Sequence, residues 1–204
     1  MTTDKHLRVI SGLSVPYASH PQVRALKRSG RRPSLHGTKL WGASQILTDY
    51  LASTTQTQPK TVIDAGCGWG LSGIWCAKHL HATVASLDAD PDVIPYLELT
   101  AKINDTEVTP IVGRFEDLGS DLLSATDLLI GADICFWDEL VDPVIAMITT
   151  AIESGTKRIV IADPQRAPFL AVCEHILEHF GGELIEWRAP ATKTVGALLV
   201  IENA

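Results

Sequence analysis

The sequence predicts a single α/β domain with a seven-stranded, mostly parallel sheet, helices on both faces and an antiparallel C-terminal hairpin. The 204 residues, 46% of them hydrophobic, are enough for about one domain with one core. From Lys60 onward, short β-branched runs alternate with longer helical patterns, which is typical of a parallel sheet wrapped by helices. The last two strand patterns have no helical pattern between them, and this predicts an antiparallel pair at the edge of the sheet.

The strands are predicted from apolar or β-branched runs that are bounded by turn residues. The fourth run, DLLIGA, is nearly all apolar, as expected for a central parallel strand that is covered on both faces. The predicted strands are Thr61–Asp64, Thr83–Asp88, Thr109–Val112, Asp127–Ala132, Arg158–Ala162, Glu183–Arg188 and Val195–Ile201.

The helices are predicted where apolar residues recur with a helical period. Pro91 fits a first turn, because the N–H that proline lacks has no partner there. The first 35 residues are the least predictable, and we separate a basic N-terminal segment, residues 1–36, from a domain at residues 37–204. The predicted helices are Leu40–Leu51, Leu71–His79, Pro91–Ile103, Leu140–Glu153 and Pro168–Phe180.

Charge is distributed unevenly along the chain. Residues 1–40 carry eight basic residues against one acidic residue, whereas the remaining 164 residues carry nine basic and 23 acidic residues. An acidic body disfavours general binding to the phosphate backbone of nucleic acids. The basic segment fits three partners that charge alone does not separate: an acidic protein, RNA, or the acidic body of the chain itself.

Neither the cysteines nor the histidines have the spacing of a metal site. The four cysteines each lie in an apolar run without a CxxC pattern, so we expect reduced core thiols. His175 and His179 lack the glutamate of the HExxH zinc motif. The N-terminal residues have no signal-peptide pattern, and nowhere do about 18 apolar residues run together. We therefore expect a cytoplasmic protein with no metal and no membrane partner.

The most informative motif joins the first predicted strand to the helix after it. Asp64 ends the strand, and three alternating glycines follow it. Glycines allow a tight turn and a close approach of the backbone to a ligand, and the free N–H groups at a helix start favour a negative group. Asp88 ends the second strand, where a carboxylate can accept hydrogen bonds from both hydroxyls of a ribose. The pattern indicates a nucleotide-like cofactor. The glycines are Gly66, Gly68 and Gly70.

Two cofactors fit this motif. Residues 68–73 match the GxGxxG pattern of dinucleotide-binding proteins, with Asp88 20 residues beyond Gly68. In the dinucleotide fold, however, the first glycine follows the strand almost directly, whereas here Asp64 and Gly66 come first. The full pattern, Asp-x-Gly-x-Gly-x-Gly, resembles motif I of the class I S-adenosylmethionine (SAM) methyltransferases. The resemblance implies a Rossmann-like methyltransferase fold and SAM as the cofactor. It implies cofactor contacts from Asp64, Gly66, Gly68, Gly70 and Asp88.

The same resemblance assigns a role to the residues after the third strand. Phe115, Glu116 and Asp117 lie in the region that cradles adenine in class I methyltransferases, which implies cofactor contacts from Phe115 and Glu116. Glu116 and Asp117 fit equally well as a pair at a helix N-terminus or as solvated surface.

Three further segments resemble the seven-β-strand protein lysine methyltransferases. Residues 39–51 resemble the tryptophan-bearing helix before motif I, which implies a cofactor contact from Trp41. Residues 131–136 (GADICF) are similar to the Asp-x-x-Tyr signature after the fourth strand, with Phe136 in place of the tyrosine. Residues 161–167 (IADPQRA) resemble the Gly-Asp-Pro-Gly-Arg-Ala segment of the branch that modifies the β subunit of electron transfer flavoprotein. The missing tyrosine hydroxyl leaves the acceptor open.

Asp133 and Phe136 are the predicted catalytic residues. Asp133 follows a central strand at its carboxyl end, where open α/β sheets bind ligands, so it is also a candidate cofactor residue. Its alternative role is the N-cap of the next helix. Phe136 and Trp137 fit an aromatic wall for a cationic centre as well as a core or lid role. Asp163 and Arg166 are spaced to pair locally.

The resemblance implies a SAM-dependent N-methyltransferase whose leading acceptor is a lysine side chain of a protein substrate. A small-molecule or RNA methyltransferase of the same fold is one alternative. Residues 133–136 (DICF) lack the two prolines of the Asn/Asp-Pro-Pro-Tyr/Phe motif often present in enzymes that methylate the exocyclic amine of a base, which makes nucleic acid the weaker option. A SAM-binding module without catalysis is the alternative from a different class.

Overall fold

The N-terminal residues form a hairpin and a helix that the sequence patterns do not predict. The computed structural model describes residues 5–33, 42–54, 58–190 and 192–203. An antiparallel hairpin, β1 (Leu7–Ile10) and β2 (Leu13–Pro16), precedes helix α1 (Pro21–Arg28). Ser11 and Gly12 close the hairpin with positive φ angles of 49° and 78°, as a two-residue hairpin turn requires.

The predicted sheet is confirmed, and each of its strands agrees with the predicted bounds to within one residue at either end. Short β-branched and apolar runs between turn residues specify these strands well, because such side chains fit a pleated surface. The central strands β3, β6 and β7 are buried almost throughout, whereas the edge strands β5 and β8 are mostly exposed. The strands are β3 (Thr61–Ala65), β4 (Thr83–Asp88), β5 (Thr109–Val112), β6 (Leu128–Ala132), β7 (Arg158–Asp163), β8 (Glu183–Arg188) and β9 (Val195–Glu202).

The strand order is β5–β4–β3–β6–β7–β9–β8 in the described part of the chain. The first five strands in this order pair in parallel, so their carboxyl ends share one edge of the sheet. β9 pairs antiparallel with β7, and β8 pairs antiparallel with β9 at the outer edge. The predicted C-terminal hairpin is therefore confirmed.

Helices cover both faces of the sheet, as predicted, but one helix starts later than its pattern suggests. The helix predicted from Pro91 begins at Ile94, and Pro95 rather than Pro91 occupies the first turn. A carboxylate oxygen of Asp90 accepts the N–H of Asp92 at 2.9 Å, and this local turn delays the helix. The helices are α2 (Gly42–Thr54), α3 (Leu71–Trp75), α4 (Ile94–Ile103), α5 (Ser120–Ser124), α6 (Val141–Ser154) and α7 (Ala167–Phe180), with a π-helical turn at Cys76–Leu80 and 3₁₀ turns at Phe115–Asp117 and Asp138–Leu140.

Alternation along the strands divides the core into two layers. On β3, Val62 packs with residues of α2 and α3, whereas its neighbour Ile63 packs with residues of α6 and α7. The hairpin contributes Leu13 and Val15 to the first layer. Among the described residues, none of the helices has the length and apolar character needed to span a membrane.

Helix α1 is joined to the body through aromatic packing. Val23 packs with Trp69 and Tyr96, whose rings stack at a centroid distance of 5.0 Å. The Tyr96 hydroxyl donates to the Arg31 carbonyl oxygen at 2.7 Å, and the Arg31 side chain pairs with Asp92 at 3.1 Å. Three partners fit the basic segment, and for Arg31 the partner is the acidic body of the chain itself, through Asp92. The predicted boundary between residues 36 and 37 lies outside the described residues.

Asn104 fastens the hairpin to α4, and we predict that Asn104→Ala lowers the free energy of unfolding by about 1–3 kcal/mol. Asn104 is 2% exposed, accepts the Ser14 N–H and donates to the Ser14 carbonyl oxygen, both at 2.8 Å. The substitution leaves both groups of Ser14 without this partner. Urea unfolding measures the change, with Asn203→Ala as the control because Asn203 is less buried and its side chain donates a single bond, to the carbonyl oxygen of Ile152. Equal losses in the two variants would contradict the role of Asn104.

Candidate active site

The glycine motif forms a turn along one side of a cleft. Gly66, Gly68 and Gly70 adopt positive φ angles of 68°, 53° and 80°. A Cβ atom on Gly66 would lie 2.6 Å from Cγ2 of Ile134. One on Gly70 would lie 2.2 Å from Cδ1 of Leu97, so both positions require glycine. A Cβ atom on Gly68 would meet no atom within 4 Å, which leaves that backbone open to the cleft.

The cleft lies at the carboxyl ends of β3, β4 and β6 and has a volume of about 410 Å³. That volume lies in the range of about 300–1,000 Å³ that is usual for small-molecule sites. Gly70 and Asp64 are not among the lining residues. The predicted site residues that line the cleft are Gly66, Gly68, Asp88, Phe115, Glu116, Asp133 and Phe136.

Asp88 ties the end of β4 to the glycine turn. Its Oδ2 accepts the N–H of Gly68 at 3.0 Å, and its Oδ1 accepts the N–H of Asp90 at 3.0 Å. Partial burial raises the pKa of Asp88 above its usual range, against the effect of these hydrogen bonds. Each carboxylate oxygen can accept a further hydrogen bond, so Asp88 can still bind hydroxyl groups in the cleft.

Asp64 lies beneath the cleft and supports it. The side chain is 1% exposed, and its Oδ2 accepts the N–H of Gly73, in the first turn of α3, at 2.9 Å. Burial raises the pKa of Asp64 from 3.8 to about 7, and the negative charge of Asp88 adds to the shift. A Cβ atom on Gly73 would lie 2.8 Å from the same carboxylate oxygen, so the helix approaches Asp64 closely. The predicted contact of Asp64 with a cofactor stays a prediction.

The segment after β5 forms another part of the cleft wall, next to the glycine turn, because a Cβ atom on Gly66 would lie 3.8 Å from the Phe115 ring. Phe115 and Glu116 line the cleft together with Arg114. Asp117 instead accepts the backbone N–H of Arg114 at 2.7 Å and closes the 3₁₀ turn. Both acidic residues lie in this turn, but only the Asp117 side chain closes it, whereas Glu116 lines the cleft.

Asp133 follows β6 in a left-handed backbone conformation, with a φ of 64°. It is 8% exposed, and its N–H donates to the carbonyl oxygen of Ala162 on β7 at 2.9 Å. Its carboxylate pairs with the guanidinium of Arg166. The alternative role as an N-cap is wrong, because Trp137 and Leu140 are the residues that precede the next helical turns.

Phe136 and Trp137 form an aromatic corner beside Asp133. Phe136 lines the cleft, and its ring meets that of Trp137 at an interplanar angle of 70° and a centroid distance of 4.8 Å. Trp137 is 54% exposed, which rules out a core role for it. The segment after β6 thus provides an aromatic ring and the carboxylates of Asp133 and Glu139 to the cleft.

Some lining residues carry no sequence signal that predicts them. Trp41 lies outside the described residues, but Ser44 lines the cleft from the same predicted helix. Leu140 and Pro143 also line it, and apolar residues near a helix start resemble ordinary core positions. Glu139 is the exception. It lies three residues after Phe136 in the sequence, so its position close to the Asp-x-x-Tyr-like segment could have predicted that it lies near the carboxyl end of β6. Among the described residues, no cluster of His, Cys, Asp or Glu could hold a metal ion.

Comparison with known proteins gives one family and one fold. A family model described as lysine methyltransferase matches residues 25–172, which is more than half of the chain. No curated protein matches the chain. Similar solved structures include cofactor-bound Rv0187 from MTB, which is 19% identical with a TM-score of 0.57 and 91% of each chain covered.

Two further solved structures have the same fold. A TehB-like SAM-dependent methyltransferase from Corynebacterium glutamicum is 20% identical, with a TM-score of 0.52 and coverage of 90% of this chain and 95% of that one. A ribosomal protein L11 methylase from Lactobacillus delbrueckii subsp. bulgaricus is 18% identical, with a TM-score of 0.59 and 79% of each chain covered. At such identities the likeness shows the fold alone.

The buried carboxyl of Asp64 makes stability depend on pH. Because its pKa of about 7 in the folded state exceeds its ordinary value of 3.8, the folded protein binds more protons than the unfolded chain between these values. This group therefore makes the free energy of unfolding fall as pH rises from about 4 through 7, by at most about 1.4 kcal/mol per pH unit. We predict that Asp64→Asn removes this slope.

Urea unfolding at several values between about pH 5 and pH 8 measures the slope. Asp92→Asn is the control, because hydrogen bonding to Arg31 lowers the pKa of Asp92 and this carboxylate stays ionised over the whole range. Its curve should run parallel to that of the wild type. Parallel curves for Asp64→Asn and the wild type would contradict the assignment.

Proposed function

The chain belongs to the lysine methyltransferase family, and we propose that it transfers a methyl group from SAM to the side-chain nitrogen of a lysine in a protein substrate. It is a SAM-dependent methyltransferase of the class I fold. The observation that carries the proposed substrate is that Asp133 and Phe136, both in the segment after β6, line the same end of the cleft, which we call the acceptor end. The four buried free cysteines support a cytoplasmic location, which we propose as well.

The cleft residues fit SAM. Asp88 offers a half-buried carboxylate to the ribose hydroxyls, and Gly66 and Gly68 expose a backbone without side chains. Phe115 and Glu116 would hold the adenine side. When bound, SAM supplies a methyl group on a positively charged sulfur, and an acceptor nitrogen takes it by in-line displacement.

The chain's own residues prepare the acceptor nitrogen. A protonated lysine has no lone pair, so the pocket must favour the neutral amine. The apolar side chains of Phe136, Ile134 and Leu140 exclude water, and desolvation lowers the pKa of an amine. Asp133 accepts a hydrogen bond from the amine, which orients it, and takes up its proton directly or through water. Holding the two reactants in this geometry lowers the barrier, because the entropy of bringing them together is lost on binding.

Asp88→Ala should weaken SAM binding by about 1–3 kcal/mol, the range for hydrogen bonds to a charged group. Calorimetric titration measures the affinity, and NADH should not bind the wild type. The control is Asp121→Ala on α5, outside the residues that line the cleft, which should bind SAM as the wild type does. Unchanged affinity together with a collapsed melting temperature would make Asp88 purely structural.

Transfer to protein lysine is tested with radiolabelled SAM and a cell lysate. The label should appear in protein and be located on lysine by mass spectrometry. Asp133→Asn should lower kcat by about 10²-fold while leaving SAM affinity nearly intact, because the contact it removes is made to the acceptor. Full activity of this variant, or an equal loss of SAM binding, would contradict the role of Asp133.

The fraction that carries the label separates the substrate classes. Label confined to RNA or to small molecules would overturn the proposed acceptor while leaving the methyltransferase in place. Phe136→Tyr is a matched variant, because it adds the hydroxyl of the Asp-x-x-Tyr signature to the same ring. Activity on protein should be preserved or raised, whereas a large loss would favour a more apolar, small-molecule acceptor.

A further inference from the structure

The described ion pairs at the end of β7 reach into the acceptor end of the cleft. Resting on the proposed function, we infer that Arg166 is a positioning residue: it holds the Asp133 carboxylate in the cleft wall, and Asp163 in turn holds Arg166. Arg166 is not among the residues that line the cleft, so its effect on the acceptor passes through Asp133.

Asp163 binds Arg166 at two points. Oδ1 of Asp163 accepts the backbone N–H of Arg166 at 2.8 Å, and Oδ2 accepts from the side-chain Nη1 at 2.9 Å. Asp163 is 1% exposed at the end of β7, where β9 packs so closely that a Cβ atom on Gly196 would lie 2.5 Å from its carbonyl oxygen. The arginine is therefore anchored on a rigid part of the sheet.

The same Nη1 atom of Arg166 donates to Oδ1 of Asp133. The Asp133 backbone is fixed as well, because its N–H bonds to Ala162 one residue before Asp163. With the backbone and one carboxylate oxygen held, the orientation of the other oxygen is set by the protein before the acceptor arrives. Such preorganisation is what an orienting contact needs, because small misplacements cost large factors in rate.

The charges of the cluster also suit an amine acceptor. A carboxylate alone favours the protonated form of a nearby amine, which cannot accept a methyl group. The guanidinium of Arg166 offsets part of the negative charge of Asp133 and leaves an oxygen free of this contact. The cluster therefore orients the amine with less stabilisation of its ammonium form.

Removing the arginine would leave two carboxylates facing each other. Burial raises the pKa of Asp163 to about 6, although the contacts with Arg166 lower it, and the charge of Asp133 raises it. The neighbouring thiols of Cys135 and Cys173 add no charge of either sign, because burial raises their pKa values to about 11 and about 12 and a protonated thiol is neutral. Without Arg166 the pKa of Asp163 should rise further.

The test compares the wild type with Arg166→Gln, Arg166→Lys and the control Arg158→Gln. Arg158 lies at the opposite end of β7 and pairs with Glu202 at 2.7 Å, so its loss reports on the strand but not on the cleft. We expect Arg166→Gln to lower kcat by about 10- to 100-fold with unchanged SAM affinity, and Arg166→Lys to recover part of the rate. Arg158→Gln should keep the wild-type kcat. The lysine-bearing substrate is the one found by radiolabelling.

A second measurement does not depend on activity. Carboxyl ¹³C NMR follows the titration of Asp163 in the wild type and in each variant, and its midpoint should rise by about one pH unit or more in Arg166→Gln. An unchanged midpoint, or wild-type kcat in Arg166→Gln, would overturn the inference even where the wild type methylates protein lysine. A wild type that labels no protein lysine would overturn the proposed function, and the positioning role with it, whatever the midpoint does.

Discussion

Parallel pairing of β3 with β4 on one side and β6 on the other brings the ends of three strands to one edge of the sheet. Each of these strands ends in, or next to, an aspartate: Asp64, Asp88 and Asp133. The pairing therefore concentrates negative charge in a partly buried place, where charge is costly unless it is compensated. The remaining parts of the site, which are backbone N–H groups, a guanidinium and burial, each compensate or neutralise one of these carboxylates.

The three carboxylates are accommodated by different means, and this gives them different functions. Asp64 is buried against the α3 backbone, where its pKa of about 7 brings it close to neutrality. Asp88 is held by two backbone N–H groups and keeps lone pairs for a ligand. Asp133 is paired with a guanidinium that is itself anchored by Asp163. One residue supports the cleft, one offers contacts to the cofactor and one faces the acceptor.

The strands of the sheet could be predicted from the sequence because the patterns that specify them are local. Each apolar strand run, the turn residues that bound it and the helical pattern that follows it are close together in the chain. The start of α4 was predicted three residues early, because the Asp90 turn competes with the helix and Pro91 fits both. The N-terminal hairpin was missed because its strands have four residues each and its turn is Ser11–Gly12, a weaker signal than Asn-Gly.

Within the site, motif residues were predictable and their partners were not. The glycine turn and Asp88 follow from spacing in one βαβ unit. The pairing of Asp163 with Arg166 was expected from their spacing, but Asp133 lies 33 residues before Arg166 and joins them only because β6 and β7 are neighbours. Strand order, and not local pattern, decides such a contact.

Trp69 connects the N-terminal helix α1 to the wall of the cleft. It belongs to the glycine turn and lines the cleft, yet it also stacks on Tyr96 and packs with Val23 of α1. Deleting α1 would uncover apolar surface on both aromatic rings and loosen the turn that faces the cofactor. For protein engineering, an affinity tag or fusion partner therefore belongs ahead of β1 or after β9, and a trimmed version of the enzyme should keep the helix.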